Sequence, residues 1–259
     1  MKLLMLGSGT STGVPRIGGE FGEDWGECDP TEPRNRRSRA SIIVENNDGT
    51  RLLVDTSTDL RAQLLANAIH KVDAVFWTHD HADHCHGIDD LRPMRYGRKG
   101  PLPGYGSEET VRRLRQRFGY VFAGQFGYHT LVSLETLDRL RMCLGFGVGW
   151  CLMPHGPAMS TGFRFDCDGK TISYATDFSA ITDEMVNLFY GSDILVVDCL
   201  RREAHPTHAN LGLAMELVEQ TRSKQAVLMH LDKSMDYSRL SAEMPSHVLV
   251  GYDGMELVA

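Results

Sequence analysis

The sequence predicts a layered α/β domain, and three features of the chain support this fold class. Its 259 residues are 42% hydrophobic, which is enough for one domain with a sizeable core over 1–259. Short β-rich runs dominate the first third, and strands and helices alternate over roughly the last hundred residues. No repeat, low-complexity segment or linker divides the chain.

Apolar runs bounded by turn residues predict the strands, and amphipathic stretches between them predict helices. The predicted strands are Leu3–Leu6, Ser41–Glu45, Arg51–Val54, Ala74–Trp77, Gly162–Cys167, Thr171–Ala175, Ile194–Val197 and Ala226–Met229. The predicted helices are Leu60–Ile69, Glu108–Phe118, Asp183–Phe189 and Leu211–Thr221. Asn47-Asp48-Gly49 is typical of a hairpin turn. The rest of 96–150 shows no clear pattern.

Charge and residue usage argue against several classes of protein. The net charge of −7 disfavours a protein that binds bulk nucleic acid, because such proteins are usually basic. No apolar run approaches twenty residues, so we expect no membrane-spanning helix and no membrane partner. Met1–Leu6 is too short for a signal peptide, and six cysteines without a CxxC pair indicate a reduced, cytoplasmic protein. The oligomeric state is left open, and a homodimer is one of the options.

The segment Thr78-His79-Asp80-His81-Ala82-Asp83-His84 carries the strongest chemical signal. It follows an apolar strand and brings together three imidazoles and two carboxylates, which a hydrophobic core does not need. Alternate residues of an extended chain project to one side, so His79 and His81 can bind one ion while Asp83 and His84 turn toward a second. Such ligands suit zinc, manganese or iron.

Three further residues stand at the ends of apolar runs, namely His155, Asp177 and His230. Because the carboxyl ends of strands commonly gather the sites of α/β folds, we expect these residues near the histidine cluster. The sequence therefore predicts two divalent metal ions per chain. The candidate ligands are His79, His81, Asp83, His84, His155, Asp177 and His230.

This order of residues, HxHxDH followed by a lone His, a lone Asp and a last His, resembles the metallo-β-lactamase superfamily. The resemblance covers almost the whole chain and implies an αββα sandwich, two mixed sheets face to face with helices outside. It implies one metal ion with the ligands His79, His81 and His155. It implies a second ion with the ligands Asp83, His84 and His230, and a bridging ligand, Asp177. Asp55 matches the family's first motif, which usually supports the ligands from behind.

Within the superfamily, the sequence is similar to the phosphoribosyl cyclic phosphate phosphodiesterases of the carbon–phosphorus lyase pathway. Three features carry this similarity: the opening Gly7–Pro15, the ending Val250–Glu256, and His208 before a helix. The tRNA 3′-processing endonucleases share the opening. His208 matches an additional histidine of the phosphodiesterases, so we expect it to act in catalysis.

The chain departs from these phosphodiesterases at their structural zinc site. That site uses a CxCxxC knuckle and a histidine three residues after the last metal ligand, where this sequence has only Cys28 and Lys233. One thiolate cannot form a tetrahedral zinc site, so we expect no structural zinc. The loop around 18–37 must then be held by packing and hydrogen bonds. The departure leaves the physiological substrate open.

Other polar residues show weaker patterns. The Gly-rich opening lacks the spacing of a dinucleotide site and predicts a tight turn, whose amides could face the substrate. The arginines of 34–39 and 112–117 are typical of a solvated face, with a phosphorylated substrate as the alternative. We expect Cys85 and His86 to be structural. No partner pattern accompanies His70, His129, His205 and His247.

The leading hypothesis is hydrolysis of a small or cyclic phosphodiester, such as a phosphoribosyl cyclic phosphate, to a phosphomonoester. Asp83 or Asp177 would orient the attacking hydroxide, and His208 would protonate the leaving oxygen or hold a phosphoryl oxygen. A tRNA 3′-processing endonuclease is the alternative within enzymes, although it would need an exosite arm and a basic surface. A non-catalytic metal-binding or cofactor-biosynthesis protein is the alternative outside them, and the complete ligand set argues against it.

We expect reconstituted protein to bind two metal ions per chain, and Asp177→Ala to weaken both sites because a bridging carboxylate serves both ions. Metal analysis of reconstituted wild type and variant measures the content directly. A wild-type content of one ion or none would contradict the prediction.

Overall fold

Two seven-stranded sheets form the framework of the protein, seen in a computed structural model that describes residues 1–124 and 129–259. The strands of the first sheet are β1 (Lys2–Gly7), β4 (Ser41–Glu45), β5 (Arg51–Val54), β6 (Ala74–Phe76), β7 (Leu102–Gly106), β8 (Val132–Thr136) and β16 (Glu256–Val258). Those of the second are β9 (Met142–Cys143), β10 (Phe146–His155), β11 (Ala158–Cys167), β12 (Lys170–Ala175), β13 (Ile194–Asp198), β14 (Gln225–Met229) and β15 (Val248–Val250). A small ribbon pairs β2 (Arg16–Ile17) with β3 (Glu23–Asp24).

Both sheets are mixed and built alike. The first has the order β16-β1-β4-β5-β6-β7-β8, and its strands from β5 to β8 are parallel. The second has the order β15-β14-β13-β12-β11-β10-β9, and its strands from β12 to β15 are parallel. The remaining neighbours in each sheet are antiparallel. Parallel strands place their carboxyl ends on the same edge of a sheet, which is where α/β folds gather their sites.

Helices cover the outer face of each sheet. The α-helices are α1 (Leu60–Ala66), α2 (Ala82–Cys85), α3 (Glu108–Arg117), α4 (Gly119–Ala123), α5 (Asp183–Phe189), α6 (Leu211–Thr221) and α7 (Tyr237–Glu243), with 3₁₀ helices at Pro33–Asn35 and Ile88–Arg95. Buried side chains of α1, α3 and α4 pack on the first sheet, and those of α5, α6 and α7 on the second. Within the described part of the chain, none of these helices is long and apolar enough to cross a membrane.

A third apolar layer fills the space between the sheets. Phe76 of the first sheet meets Phe163 and Phe165 of the second, with ring centroids 5.5 and 5.2 Å apart. Edge-to-face contacts of this kind add to the free energy gained by burying the rings. The resulting αββα sandwich of two mixed sheets is the architecture that the family resemblance implies.

Most of the predicted elements are confirmed. The strands Ser41–Glu45 and Arg51–Val54 and the helices Asp183–Phe189 and Leu211–Thr221 have the predicted bounds. Asn47-Asp48-Gly49 does turn between two antiparallel strands. The predicted helix Leu60–Ile69 ends earlier, at Ala66, and no side chain caps its first turn. Its polar N-terminal residue Asp59 instead binds the Arg39 guanidinium, 2.9 Å away.

The sequence did not predict strand β10. Its residues Phe146–His155 include two glycines and a proline, which weaken a β-strand signal. The strand forms because β11 pairs with it over nine residues, from Gly147↔Asp166 to His155↔Ala158. The neighbouring strand thus overrides the weak local preference, and His155 lies at the turn of a long hairpin.

Among the arginines of 34–39, Arg34 and Arg36 are exposed as predicted, whereas Arg37 is buried. Its guanidinium donates to the Met235 carbonyl at 2.7 Å and lies 3.8 Å from the Cys28 thiol. Lys233 extends to the same loop and pairs with Asp24 at 2.6 Å. These contacts hold the loop around 18–37 against the segment after β14, at the place where the similar phosphodiesterases have a zinc knuckle.

Hydrogen bonds to the Asp253 carboxylate hold the Gly-rich opening in place. One carboxylate oxygen accepts from the Ser8 backbone N–H and hydroxyl, both at 2.8 Å, and the other accepts from the Ser38 N–H at 2.7 Å. The amides of Gly9, Thr10, Gly13 and Val14 also donate to backbone carbonyls. The expectation that amides of this turn could face a substrate is therefore wrong for these residues.

Asp253→Ala should reduce the free energy of unfolding by about 2–4 kcal/mol, since it leaves buried N–H groups without an acceptor. Urea denaturation measures this loss. Glu20→Ala, which removes an exposed carboxylate, is the control and should stay within about 0.5 kcal/mol of wild type. Equal free energies of unfolding for the two variants would show that the Asp253 carboxylate does not stabilise the fold.

Candidate metal centre

The first group of candidate ligands joins both sheets at the carboxyl ends of their strands. His79 and His81 follow β6, His155 ends β10, and Asp177 follows β12. Ligand atoms of these four residues lie within 4.8 Å of one another. The Asp177 Oδ2 atom is 3.6 Å from the Nε2 atoms of both His79 and His155.

The second group lies on the other side of Asp177. Ligand atoms of Asp83, His84 and His230 also lie within 4.8 Å of one another. The Asp177 Oδ1 atom is 3.4 Å from His84 Nε2 and 3.6 Å from His230 Nε2. The two oxygens of one carboxylate thus face two separate histidine groups, which is the arrangement that a bridging ligand requires.

Backbone conformation directs several of these side chains. Asp55, Asp177 and His230 each follow a parallel strand, and their φ angles are 64°, 59° and 61°. Non-glycine residues rarely adopt this left-handed region, and those that do cluster at functional sites. In this conformation Asp55 contacts His84, and Asp177 contacts both His84 and His230.

Hydrogen bonds to the far ring nitrogens orient the histidines. His84 Nδ1 lies 2.7 Å from an Asp55 carboxylate oxygen, and His155 Nδ1 lies 2.7 Å from the Thr207 carbonyl oxygen. A carboxylate and a carbonyl accept hydrogen bonds, so each ring holds a proton on Nδ1 and turns Nε2 toward the centre, where its lone pair could bind a metal ion. Metal-binding histidines are commonly oriented in this way.

Asp198 belongs to this site, although the sequence analysis did not single it out. It ends β13 and is fully buried. Its Oδ1 atom lies 3.5 Å from His230 Nδ1, and its Oδ2 atom lies 3.3 Å from His208 Nδ1. The sequence contains a pattern that could have indicated this role. Asp198 is the acidic last residue of a buried strand, just as Asp55 directly follows the buried strand β5.

The chemistry of the cluster fits divalent metal ions. The Nε2 atoms of His79, His84 and His230 are buried and have no hydrogen-bond partner. Buried polar atoms are rarely left without a partner, so three together indicate a missing ligand. Nitrogen and carboxylate donors suit zinc, manganese or iron.

Charge coupling between these groups is strong. Burial opposes ionisation of Asp177, but His230 and His84 outweigh it and hold the pKa of this carboxyl well below its ordinary range. Burial likewise opposes protonation of His84, yet Asp177 and Asp83 raise the pKa of this ring well above its ordinary value. Burial and the nearby His84 lower the pKa of His79. The site therefore keeps the Asp177 carboxylate charged and needs positive charge beside it.

The structure places His208 against the same cluster. Its Nδ1 atom is 3.8 Å from Asp177 Oδ2, and its ring stacks on that of His230 with centroids 4.8 Å apart. With Asp177 and His230 it forms a third group of potential ligands. The His205 ring lies 5.2 Å from the His208 ring.

The arginines of helix α3 support the histidine loop from behind. The Arg117 guanidinium lies 3.1 Å from an Asp80 carboxylate oxygen and also donates to the Asp80 carbonyl. Arg113 approaches the same carboxylate at 3.7 Å. Cys85 donates its thiol proton to the Asp80 carbonyl, which agrees with its predicted structural role. Asp80 separates His79 from His81, so these contacts restrict the loop that carries both.

Comparison with known proteins places this arrangement in a family. Residues 50–231 match the family model of the beta-lactamase superfamily domain. The crystal structure of a diphosphatase from the PhnP family superposes with a TM-score of 0.88 and 33% sequence identity, covering 99% of this chain and 96% of that one. The short form of human tRNase Z superposes with a TM-score of 0.73 and 20% identity, covering 100% and 99%, which shows a shared fold.

A curated relative is longer than this chain. An octanoyltransferase of Porphyromonas gingivalis is 30% identical over 265 aligned residues, which include 100% of this chain but 51% of the relative. The chain thus spans about half the length of that relative.

Metal affinity should increase with pH. Burial opposes protonation of His230, but Asp177 and Asp83 raise its pKa from 6.5 to about 9 in the metal-free protein. Protonation of this ring therefore stabilises the metal-free fold fully below pH 6.5, and that stabilisation is lost as the pH rises through about 9. A metal ion must displace the proton, so its apparent affinity should rise across this window.

Calorimetric titration of zinc or manganese in buffers of different ionisation enthalpy measures the protons released. We expect net release near neutral pH and less of it near pH 9. An affinity that does not change between these limits would contradict the prediction.

Proposed function

Since the chain belongs to the beta-lactamase superfamily, and to the PhnP family within it, we propose that it is a two-metal phosphodiesterase. It hydrolyses a small or cyclic phosphodiester, of the phosphoribosyl cyclic phosphate type, to a phosphomonoester. The position of Asp177 is the observation that supports the proposal most strongly. Its two oxygens face two histidine groups, and His208 lies beside them. Manganese or zinc would suit the seven ligands, and iron is a third option.

Two bound ions would neutralise charge developing on the phosphoryl group and make water a stronger acid. His79, His81 and His155 would hold one ion, Asp83, His84 and His230 the other, and Asp177 both. Asp83 or Asp177 would accept a hydrogen bond from the attacking water and orient it toward phosphorus. The remaining task is protonation of the leaving oxygen.

His208 is suited to that task. Its Nδ1 atom lies 3.3 Å from Asp198, which can accept that proton's hydrogen bond and stabilise an imidazolium. The Nε2 atom is then the ring nitrogen that meets the substrate. From this position His208 would donate a proton to the leaving oxygen or bind a phosphoryl oxygen.

A tRNA 3′-processing endonuclease is the second candidate function, because the chain shares its fold with human tRNase Z. The net charge of −7 favours a small substrate over an extended nucleic acid.

The six cysteines are all unpaired, which supports a cytoplasmic location.

A substrate panel with metal-loaded protein tests these options. It contains bis(p-nitrophenyl) phosphate, ribose and nucleoside cyclic phosphates, a precursor tRNA, and an octanoyl thioester because of the octanoyltransferase relative. We expect turnover of the small diesters. Cleavage of the precursor tRNA or the thioester alone would refute the proposal, and turnover of nothing would favour a binding protein.

His208→Ala should retain its metal content and lose about 10²–10⁴-fold in turnover of a cyclic phosphate. If His208 acts as an acid, the loss should be smaller with p-nitrophenolate as leaving group, which needs little protonation. If it binds phosphate instead, the two losses should be similar. Rates and metal content are measured on the same preparations, and equal activity of variant and wild type would end the catalytic assignment.

A further inference from the structure

A surface cavity of about 630 Å³ lies between the Gly-rich opening, the ribbon of β2 and β3, and helix α1. Its volume falls within the range of small-molecule sites in proteins. In the described parts of the chain, none of the seven candidate metal ligands lines this cavity. A molecule bound there would therefore lie outside the candidate metal centre.

Two arginines that line this cavity are anchored to adjacent residues of strand β3. The Arg16 guanidinium pairs with Asp24 at 2.6 Å, and the Arg36 guanidinium approaches Glu23 at 3.5 Å. Asp24 also pairs with Lys233 at 2.6 Å, so one carboxylate serves two cations. The two arginine side chains are 49% and 62% exposed, which leaves N–H groups on both accessible to a ligand.

Two further arginines bring positive charge to the same cavity. Arg39 pairs with Asp59 at 2.9 Å, next to the first turn of α1. Arg37 is buried, and within the residues that the structure describes it forms no ion pair. Its guanidinium hydrogen bonds go to two carbonyls, an amide oxygen and a thiol, which are all uncharged acceptors. A buried guanidinium without a carboxylate partner favours an anion in its vicinity.

The acidic residues of the lining do not cancel this charge. Four arginines stand against three acidic residues, which are Glu23, Asp59 and Asp253. Asp59 already pairs with Arg39, and Asp253 accepts from the Ser8 amide and hydroxyl. The lining therefore carries an excess of positive charge, although the net charge of the protein is −7.

Apolar side chains from several segments form much of the remaining lining. They are Leu6, Val14, Pro15, Ile17, Ala62 and Ala66. Ile17 is 94% exposed, so most of its surface is available for contact with a ligand. Small-molecule sites characteristically combine apolar walls with a few charged or polar groups, and this cavity has both.

We propose that this cavity is a second binding site, for a small organic anion with an apolar body. Its carboxylate or phosphate group contacts the guanidinium groups of Arg16, Arg36 and Arg39, because the planar fork of arginine matches both kinds of oxyanion. Its apolar body lies against Ile17 and the alanines of α1. The proposal does not depend on the proposed phosphodiesterase function, since the cavity shares no residue with the candidate ligands.

Three probes that share one benzene ring test the proposal, namely benzoate, phenyl phosphate and the neutral benzyl alcohol. Each is titrated into isotope-labelled, zinc-loaded protein, and the backbone amide resonances report both the location and the dissociation constant. We expect saturable shifts of the Gly13, Ile17 and Ala66 amides with an anion, and about tenfold weaker binding of benzyl alcohol. The anion that binds more tightly identifies the charged group of the ligand.

Arg16→Gln and Arg36→Gln should each weaken binding of the anion by about tenfold, the effect of losing one hydrogen bond to a charged group. Arg34→Gln is the matched control, because Arg34 is an exposed arginine of the same loop that pairs with Glu32 at 2.7 Å and lies outside the lining. Its dissociation constant should equal that of wild type. Ala66→Phe would fill part of the cavity and should prevent binding.

Shifts confined to amides around the candidate metal centre would overturn the proposal, as would a lack of saturable shifts in wild type. Equal dissociation constants in wild type and in the double variant Arg16→Gln/Arg36→Gln would overturn it as well, and so would an equal loss in Arg34→Gln. Amide resonances away from the cavity show whether each variant is folded. None of these measurements requires turnover, so their result is independent of the catalytic function.

Discussion

The site is organised by one buried carboxylate, that of Asp177. A charged group removed from water must be compensated by opposite charge and hydrogen bonds, or folding becomes unfavourable by several kcal/mol. His79 and His84 from the first sheet and His155 and His230 from the second surround it. The carboxylate therefore couples the two halves of the sandwich electrostatically, and metal ions or protons must complete the charge balance. Removing it would leave several buried imidazoles without a common partner.

The two sheets support the site in similar ways. Each has four parallel strands, and site residues stand at the carboxyl ends of β5 and β6 in the first sheet and of β12, β13 and β14 in the second. In each, an aspartate closes a buried strand and faces a histidine of the ligand set, Asp55 facing His84 and Asp198 facing His230. Both aspartates are buried, Asp55 is hydrogen-bonded to His84 and Asp198 lies 3.5 Å from His230, so they limit the rings to a few orientations before any ion binds. Pre-orientation of this kind is what two-metal hydrolysis requires of its protein.

His208 stands on a different segment from the candidate ligands. The ligands stand at strand ends and on the histidine loop, whereas His208 stands on the loop between β13 and α6, whose base is closed by backbone hydrogen bonds from Leu200 to Ala209 and from Leu211 to Arg201. Relatives that share this fold at modest identity can therefore differ in substrate while keeping the centre, since function resides in such sites more than in the fold.

Local patterns in the sequence were sufficient for the strands with clean apolar runs, for the helices α5 and α6, and for the grouping of the seven candidate ligands at strand ends. They were not sufficient for strand β10, the burial of Arg37, the role of Asp198 as a support or the position of His205. Two of these depend on segments far away in the chain, because Met235 accepts from Arg37 and Asp198 meets the ring of His230. Strand β10 depends on its hairpin partner β11, and His205 on the way its loop brings it against His208. Periodicity reports which face of an element is apolar, but the partner of a buried polar group is chosen only when distant segments pack together.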